Sequence, residues 1–133
     1  MVPNEFTEIL VQVNIEKSDS SLKMAEIAIR ENELFIALNR IYYAIFYTVT
    51  ALAEKHDFKT SKHSAMLGWF NKKFVHQDKI FTKEQFKVYE ETFYYRQKGD
   101  YDTLYKPTLD ITTGLLEKAK LFIETVRKHI DSV

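Results

Sequence analysis

Apolar side chains recur every three to four residues along nearly the whole chain, the spacing of one helix face. In SDSSLKMAEIAIREN, Leu22, Ala25 and Ile29 combine with Met24 and Ala28 into one stripe. Ser18 to Ser20 offer side-chain oxygens suited to cap its start. The preceding Phe6, Ile9, Leu10 and Val13 form either an additional helix or an extension of the same one. A second helix is predicted from about Glu33 to His56, roughly 35 Å long at ~1.5 Å per residue. Leu34, Ala37/Leu38, Ile41, Ala44/Ile45, Thr48/Val49 and Leu52 make its main stripe. Tyr42, Phe46 and Tyr47 make the rest of it apolar as well, so it is predicted to be central and contacted on several sides. An Asn39-Arg40 pair and two tyrosines, Tyr42 and Tyr43, stand at the head of this most apolar segment.

HDFKTS reads as a turn, with Ser61 placed to cap a third helix that carries Met66, Phe70 and Phe74 in register. Thr82 to Gln85 has capping-box spacing, and the fourth helix it opens carries Phe86, Tyr89 and Phe93 and reaches Arg96. Gly99 fits that helix's C-terminus. Pro107 suits a first turn, and Asp110 or Thr112 can cap a last helix with Leu115/Leu116, Ala119, Phe122/Ile123, Val126 and Ile130 inward. The expectation is an all-α protein: one domain over residues 1–133, folded as an antiparallel bundle of about five helices.

Composition narrows this picture. Only 3 Gly and 2 Pro occur in 133 residues, too few turn formers for an all-β domain. With no Cys, neither a disulfide nor a Cys-based zinc site is possible. MVPNEFTEIL lacks a basic segment followed by an apolar one, so no signal peptide is expected. The run Ile41 to Ala53 is shorter than the ~20 residues of a membrane span. A soluble, cytoplasmic protein is therefore expected. Net charge is zero but uneven: residues 55–87 hold eight Lys against three acids, a net of +5, while residues 1–54 carry −4. The middle third is either a solvated Lys-rich face or a surface turned toward phosphate or an acidic partner.

Candidate chemistry is sparse. The four His, at 56, 63, 76 and 129, show no metal-ligand spacing, and neither a metal nor a cofactor is expected. Glycine-rich phosphate loops and the GxSxG nucleophile turn are both missing. Ser61 and His63 lie close in sequence, but Ser61 reads better as a cap than as a nucleophile. YYRQKGDY stands out, because Arg96 and Asp100 are four residues apart and can pair on one helix face. That pair is either structural or leaves the planar fork of Arg96 aimed at a phosphate.

Three blocks in this order, ALNRIYYAIFYTVTAL, KTSKHSAMLGWFNKKFV and FYYRQKGDY, resemble the HEPN domain. They are most similar to a bacterial and archaeal branch reading about A-x-N-R-x-Y-Y-A-x-F, K-x-H-S and R-x-x-x-D-Y. The likeness spans about residues 18–128. It implies a helical bundle, usually a homodimer, often encoded beside a minimal nucleotidyltransferase in a toxin-antitoxin-like or defence system. Many such domains are metal-independent RNases, with an Arg on the scissile phosphate and a His spaced R-x(4–6)-H. Here the positions that would hold the His are Tyr101, Asp102 and Thr103. A tyrosine, with a pKa of about 10, is a poor base at neutral pH. In some branches a nearby Tyr is modified by the partner nucleotidyltransferase, and Tyr101 has that position.

The resemblance points to Arg40, Arg96, Lys62 and His63 for binding nucleotide or RNA phosphate. It points to Asn39, Tyr43, Asp100 and Tyr101 as a polar cluster orienting Arg96. Arg96, Asp100 and His63 are the candidates for catalysis. His63 either bonds locally at its helix start or faces Arg96. Three functions follow: a binding module that dimerises and pairs with a nucleotidyltransferase, an RNase toxin with a divergent site, or a purely structural interaction protein.

Overall fold

The computed structural model describes residues 4–133 as five α-helices, with no strand among them. They are α1 (Glu5–Arg30), α2 (Leu34–Lys55), α3 (His63–Phe70), α4 (Lys83–Tyr101) and α5 (Leu109–Ser132). The central helix is α2, which packs against α1, α4, α5 and the start of α3. Its Ala37, Ile41, Tyr42, Ala44, Ile45, Val49 and Leu52 are at most 1 % exposed. By length and composition α2 could cross a membrane, but half of its apolar window is buried inside the bundle.

The first helix is continuous from Glu5, capped by Asn4, whose side chain accepts from the Thr7 N–H at 2.8 Å. Ser18 to Ser20 therefore lie mid-helix and cap nothing. Ser18 is fully buried; its Oγ donates to the Ala44 carbonyl at 2.7 Å and lies 2.8 Å from Thr48 Oγ1. The buried stripe of α1 is Thr7, Val11, Ile15, Ser18, Ser21, Ala25 and Ala28, while Met24 faces out. Small residues on this stripe meet Ala44 on α2, which lets the two backbones approach closely. The α1–α2 turn closes with Asn32 at φ 58°, the Glu33 N–H on the Ala28 carbonyl and the Asn32 N–H on that of Ile29. The end of α2 repeats this device with Asp57 at φ 55°.

Ser61 does not cap α3. The N-cap position falls on Lys62, which makes no side-chain cap bond; its own N–H donates to Thr60 Oγ1. Helix α3 runs on as a π-helical segment, Asn71–Gln77. The wider turn turns both Phe74 and Val75 into the core and keeps Met66, Phe70 and Phe74 on one buried row. Helix α4 opens with the expected reciprocal capping box, Thr82 N–H to Gln85 Oε1 at 2.9 Å and Gln85 N–H to Thr82 Oγ1 at 3.1 Å. It continues past Gly99, which is helical rather than terminal. A Cβ there would meet Phe35 Cδ1 at 3.5 Å and Leu38 Cδ1 at 3.7 Å, so α4 ends against the head of α2. The cap of α5 is Thr108, accepting from the Ile111 N–H, so Pro107 precedes the helix and Asp110 and Thr112 lie inside it.

Candidate functional site

The head of α2, the start of α3 and the last turns of α4 converge on Tyr42, Tyr43, His63 and Arg96. Tyr42 follows Ile41 on the buried side of α2 and is 0 % exposed. Its hydroxyl lies 2.6 Å from His63 Nδ1, across 21 residues of sequence. The His63 ring stacks on Phe46, with centroids 4.4 Å apart and planes at 29°, and meets Tyr43 edge-on at 5.6 Å. The Arg96 guanidinium lies 5.4 Å from the ring centroids of both Tyr42 and Tyr43. These two tyrosines thus link an Arg and a His that stand on different helices.

Hydrogen bonding sets the state of His63. Burial pushes the Tyr42 phenol well above its ordinary range, so it keeps its proton. That proton has no other acceptor among the described residues, so the hydroxyl donates to Nδ1. The neutral ring then carries its hydrogen on Nε2. Burial, and after it the charge of Arg96, holds the His63 pKa below its usual value. At neutral pH His63 is therefore a neutral donor. Nε2 has no protein partner among the described residues and is not sealed from solvent.

Arg96 is held from two sides. Its Nε lies 3.0 Å from Asp100 Oδ2, the i, i+4 pair that the sequence implies. The N–H does not point at the carboxylate, so the contact is an ion pair without an aligned hydrogen bond. The side chain is only 15 % exposed. Its terminal nitrogens carry no protein partner among the described residues and are not among the buried unpaired atoms. Arg40 is fixed nearby: Asn39 Oδ1 accepts from its Nε at 3.1 Å and from a terminal nitrogen at 2.7 Å, which places its guanidinium 5.0 Å from the Tyr43 centroid. Open N–H groups of Arg40, Arg96 and His63 around Tyr43 form a donor set suited to an anion with several oxygens.

The expected residues are placed as follows. Arg40, Tyr43, His63, Arg96 and Asp100 come together. Asn39 belongs to the cluster through Arg40 and makes no bond to Arg96. Lys62 adjoins His63 but is exposed. Tyr101 points away: it is 78 % exposed and lines a shallow depression with Tyr94, Gln97, Lys98, Asp102 and Thr103. Sequence reasoning assigned Phe46 to packing alone, and it marked Tyr42 at the head of the helix without placing it in the cluster around Arg96. The signal for Tyr42 was the double tyrosine beside Asn39 and Arg40 at the head of an apolar helix. No group of three or more metal-ligating side chains occurs among the described residues.

An all-α bundle with an Arg–Asp pair on its fourth helix, backed by tyrosines from its second, defines a class of helical domains. The family model of the HEPN domain matches residues 11–129, and the chain belongs to that family. A UPF0332 protein of Thermotoga maritima is 32% identical over 95% of both chains. Two Methanocaldococcus jannaschii proteins, each named "putative toxin", are 32% identical over 89% of this chain and 80% of the relative, and 29% identical over 92% and 90%.

Proposed function

We propose that this chain is a toxin-like HEPN module that holds a nucleotide or RNA phosphate at Arg40, Arg96 and His63, forms a homodimer and pairs with a minimal nucleotidyltransferase. One observation carries the reading: the Tyr42 hydroxyl on His63 Nδ1, which turns Nε2–H into a donor beside the clamped Arg96. A donor pair of this kind binds a phosphate oxygen, and it does not abstract a proton. The toxin names of two relatives support the toxin-like part. Exposed apolar side chains where α4 passes into α5, with Leu104 at 91 % and Leu109 at 53 %, support an interface there.

The test is calorimetric titration of the purified protein with ADP and with short RNA. Wild type binds; Arg96→Ala and His63→Ala bind more weakly. Absence of binding, or affinity unchanged in both variants, removes the ligand claim. Light scattering decides the dimer, and co-purification with a co-expressed minimal nucleotidyltransferase decides the pairing.

A second reading is a metal-independent RNase, favoured by the meeting of Arg96 and His63 from separate helices. It requires His63 to give up the Tyr42 bond before it can take a proton. RNA left intact by the pure protein, and expression that leaves growth unaffected, would exclude it.

A further inference from the structure

Beside the phosphate donors runs a row of aromatic rings that their binding does not use. Tyr43, Phe46 and Tyr47 occupy adjoining positions on the outer side of α2, all partly exposed. Tyr43 and Tyr47 have centroids 5.7 Å apart, and Phe46 lies 6.1 Å from Tyr47. Tyr43 and Phe46 pack inward against the core, whereas Tyr47 does not belong to that packed layer. Lys17 on α1 reaches over Tyr47, its Nζ 5.5 Å from the ring centroid. Arg40 and Arg96 cover Tyr43.

Nine of the 19 Lys and Arg side chains have a carboxylate within ion-pair distance, and at this ledge Arg96 alone is one of them. Lys55, Lys59, Lys73, Lys120 and Arg127 each have a carboxylate within ion-pair distance. Lys17, Arg40 and Lys62 have none among the described residues, and Asp100 is the one acid paired at the site. Partly exposed rings interleaved with uncompensated cations are the surface on which single-stranded nucleic acid binds. Bases stack on the rings while Lys and Arg follow the backbone. A free phosphate has no use for the rings.

We infer that Tyr47, with Tyr43 beside it, is a base-stacking site for single-stranded RNA, and that Lys17 contacts the phosphate next to the stacked base. This rests on the phosphate reading above and extends it from a phosphate to a nucleotide chain. The helical turn between Tyr43 and Tyr47 carries the strand along α2, away from Arg96 and toward α1. Stacking of this kind tolerates different bases, so little sequence preference is expected.

The experiment is fluorescence anisotropy at one fixed salt concentration, with a labelled oligoadenylate and the same backbone lacking bases. Wild type binds the oligoadenylate more tightly than the abasic chain. Tyr47→Leu weakens oligoadenylate binding about tenfold, the size of one lost base stack, and leaves abasic binding unchanged. Tyr47→Phe keeps wild-type affinity, which separates ring loss from a folding defect. Lys17→Gln weakens both probes and flattens the salt dependence. Equal binding of the two probes by wild type, or full oligoadenylate affinity in Tyr47→Leu, overturns the inference, as does failure of wild type to bind either. If Tyr47→Leu loses affinity while Arg96→Ala loses none, the stacking site stands and the phosphate assignment to Arg96 falls.

Discussion

Replacing Tyr42 by Phe removes one oxygen from the centre of the site and little else. The ring keeps its contacts with Tyr43, Phe46, His63 and Phe93, all with centroids within 6.0 Å. What is lost is the 2.6 Å bond to His63 Nδ1. An ordinary neutral hydrogen bond contributes about 0.5–1.5 kcal/mol net, and stranding its partner raises the loss toward about 3. His63 is only partly buried, so water can recover some of Nδ1. The expected destabilisation is about 1–2 kcal/mol at neutral pH. The assay is urea unfolding followed by circular dichroism. The slope stays constant because the buried surface does not change, and the midpoint falls by roughly 1 M if the slope is about 1.5 kcal/mol per M. A double-mutant cycle with His63→Ala isolates the bond, since the combined loss is smaller than the sum by about 1 kcal/mol. Strict additivity of the two changes, or an unchanged midpoint in Tyr42→Phe, refutes the assigned bond and with it the donor state of Nε2.

Three more outcomes follow from the same geometry. His56, His63 and His129 all have native pKa values lowered chiefly by burial, so the unfolded chain binds more protons just below the usual histidine pKa near 6.5. Stability therefore falls as pH drops through that window, and urea midpoints at successive pH values between neutral and 5 decline, less steeply in His63→Gln. The Tyr89 hydroxyl is buried without a partner among Phe70, Phe86 and Phe122, so Tyr89→Phe holds or raises stability, by up to about 1 kcal/mol, as judged by the urea midpoint. Gly99 is helical with room for a methyl group, so Gly99→Ala raises thermal stability by about 0.5–1 kcal/mol; a fall would mean that glycine is required at the end of α4.

The helices themselves were legible from spacing, because burial of one face imposes a 3.6-residue rhythm that survives in any context. The rows Met66–Phe70–Phe74 and Leu115–Ile130 face the core as their periodicity implies. The Thr82–Gln85 box was legible for a related reason: it is made and satisfied within four residues. The reading of Ser18 as a cap failed because the residue has a distant use. Ser18 resembles an N-cap in isolation, but its hydroxyl is spent on the Ala44 carbonyl of another helix. Gly99 resembles a helix terminus, but α4 runs on to Tyr101 and is capped at Asp102.

The same division runs through the site. Arg96 and Asp100 are neighbours by helix geometry alone, so the sequence by itself determines that pair. The sequence also determines that no His follows Arg96 at the spacing of the family's RNase motif. That His63 comes to share Tyr42 and Tyr43 with Arg96 is a property of the packing. It depends on how α3 and α4 lie across α2, and side chains 33 residues apart carry no local signal of that crossing. Helix geometry also sets Tyr101, five residues on, about 140° round α4 from Arg96, and it stands in solvent while Arg96 faces inward. Local periodicity fixes which face of a helix is buried, and only the assembled bundle decides which buried faces meet.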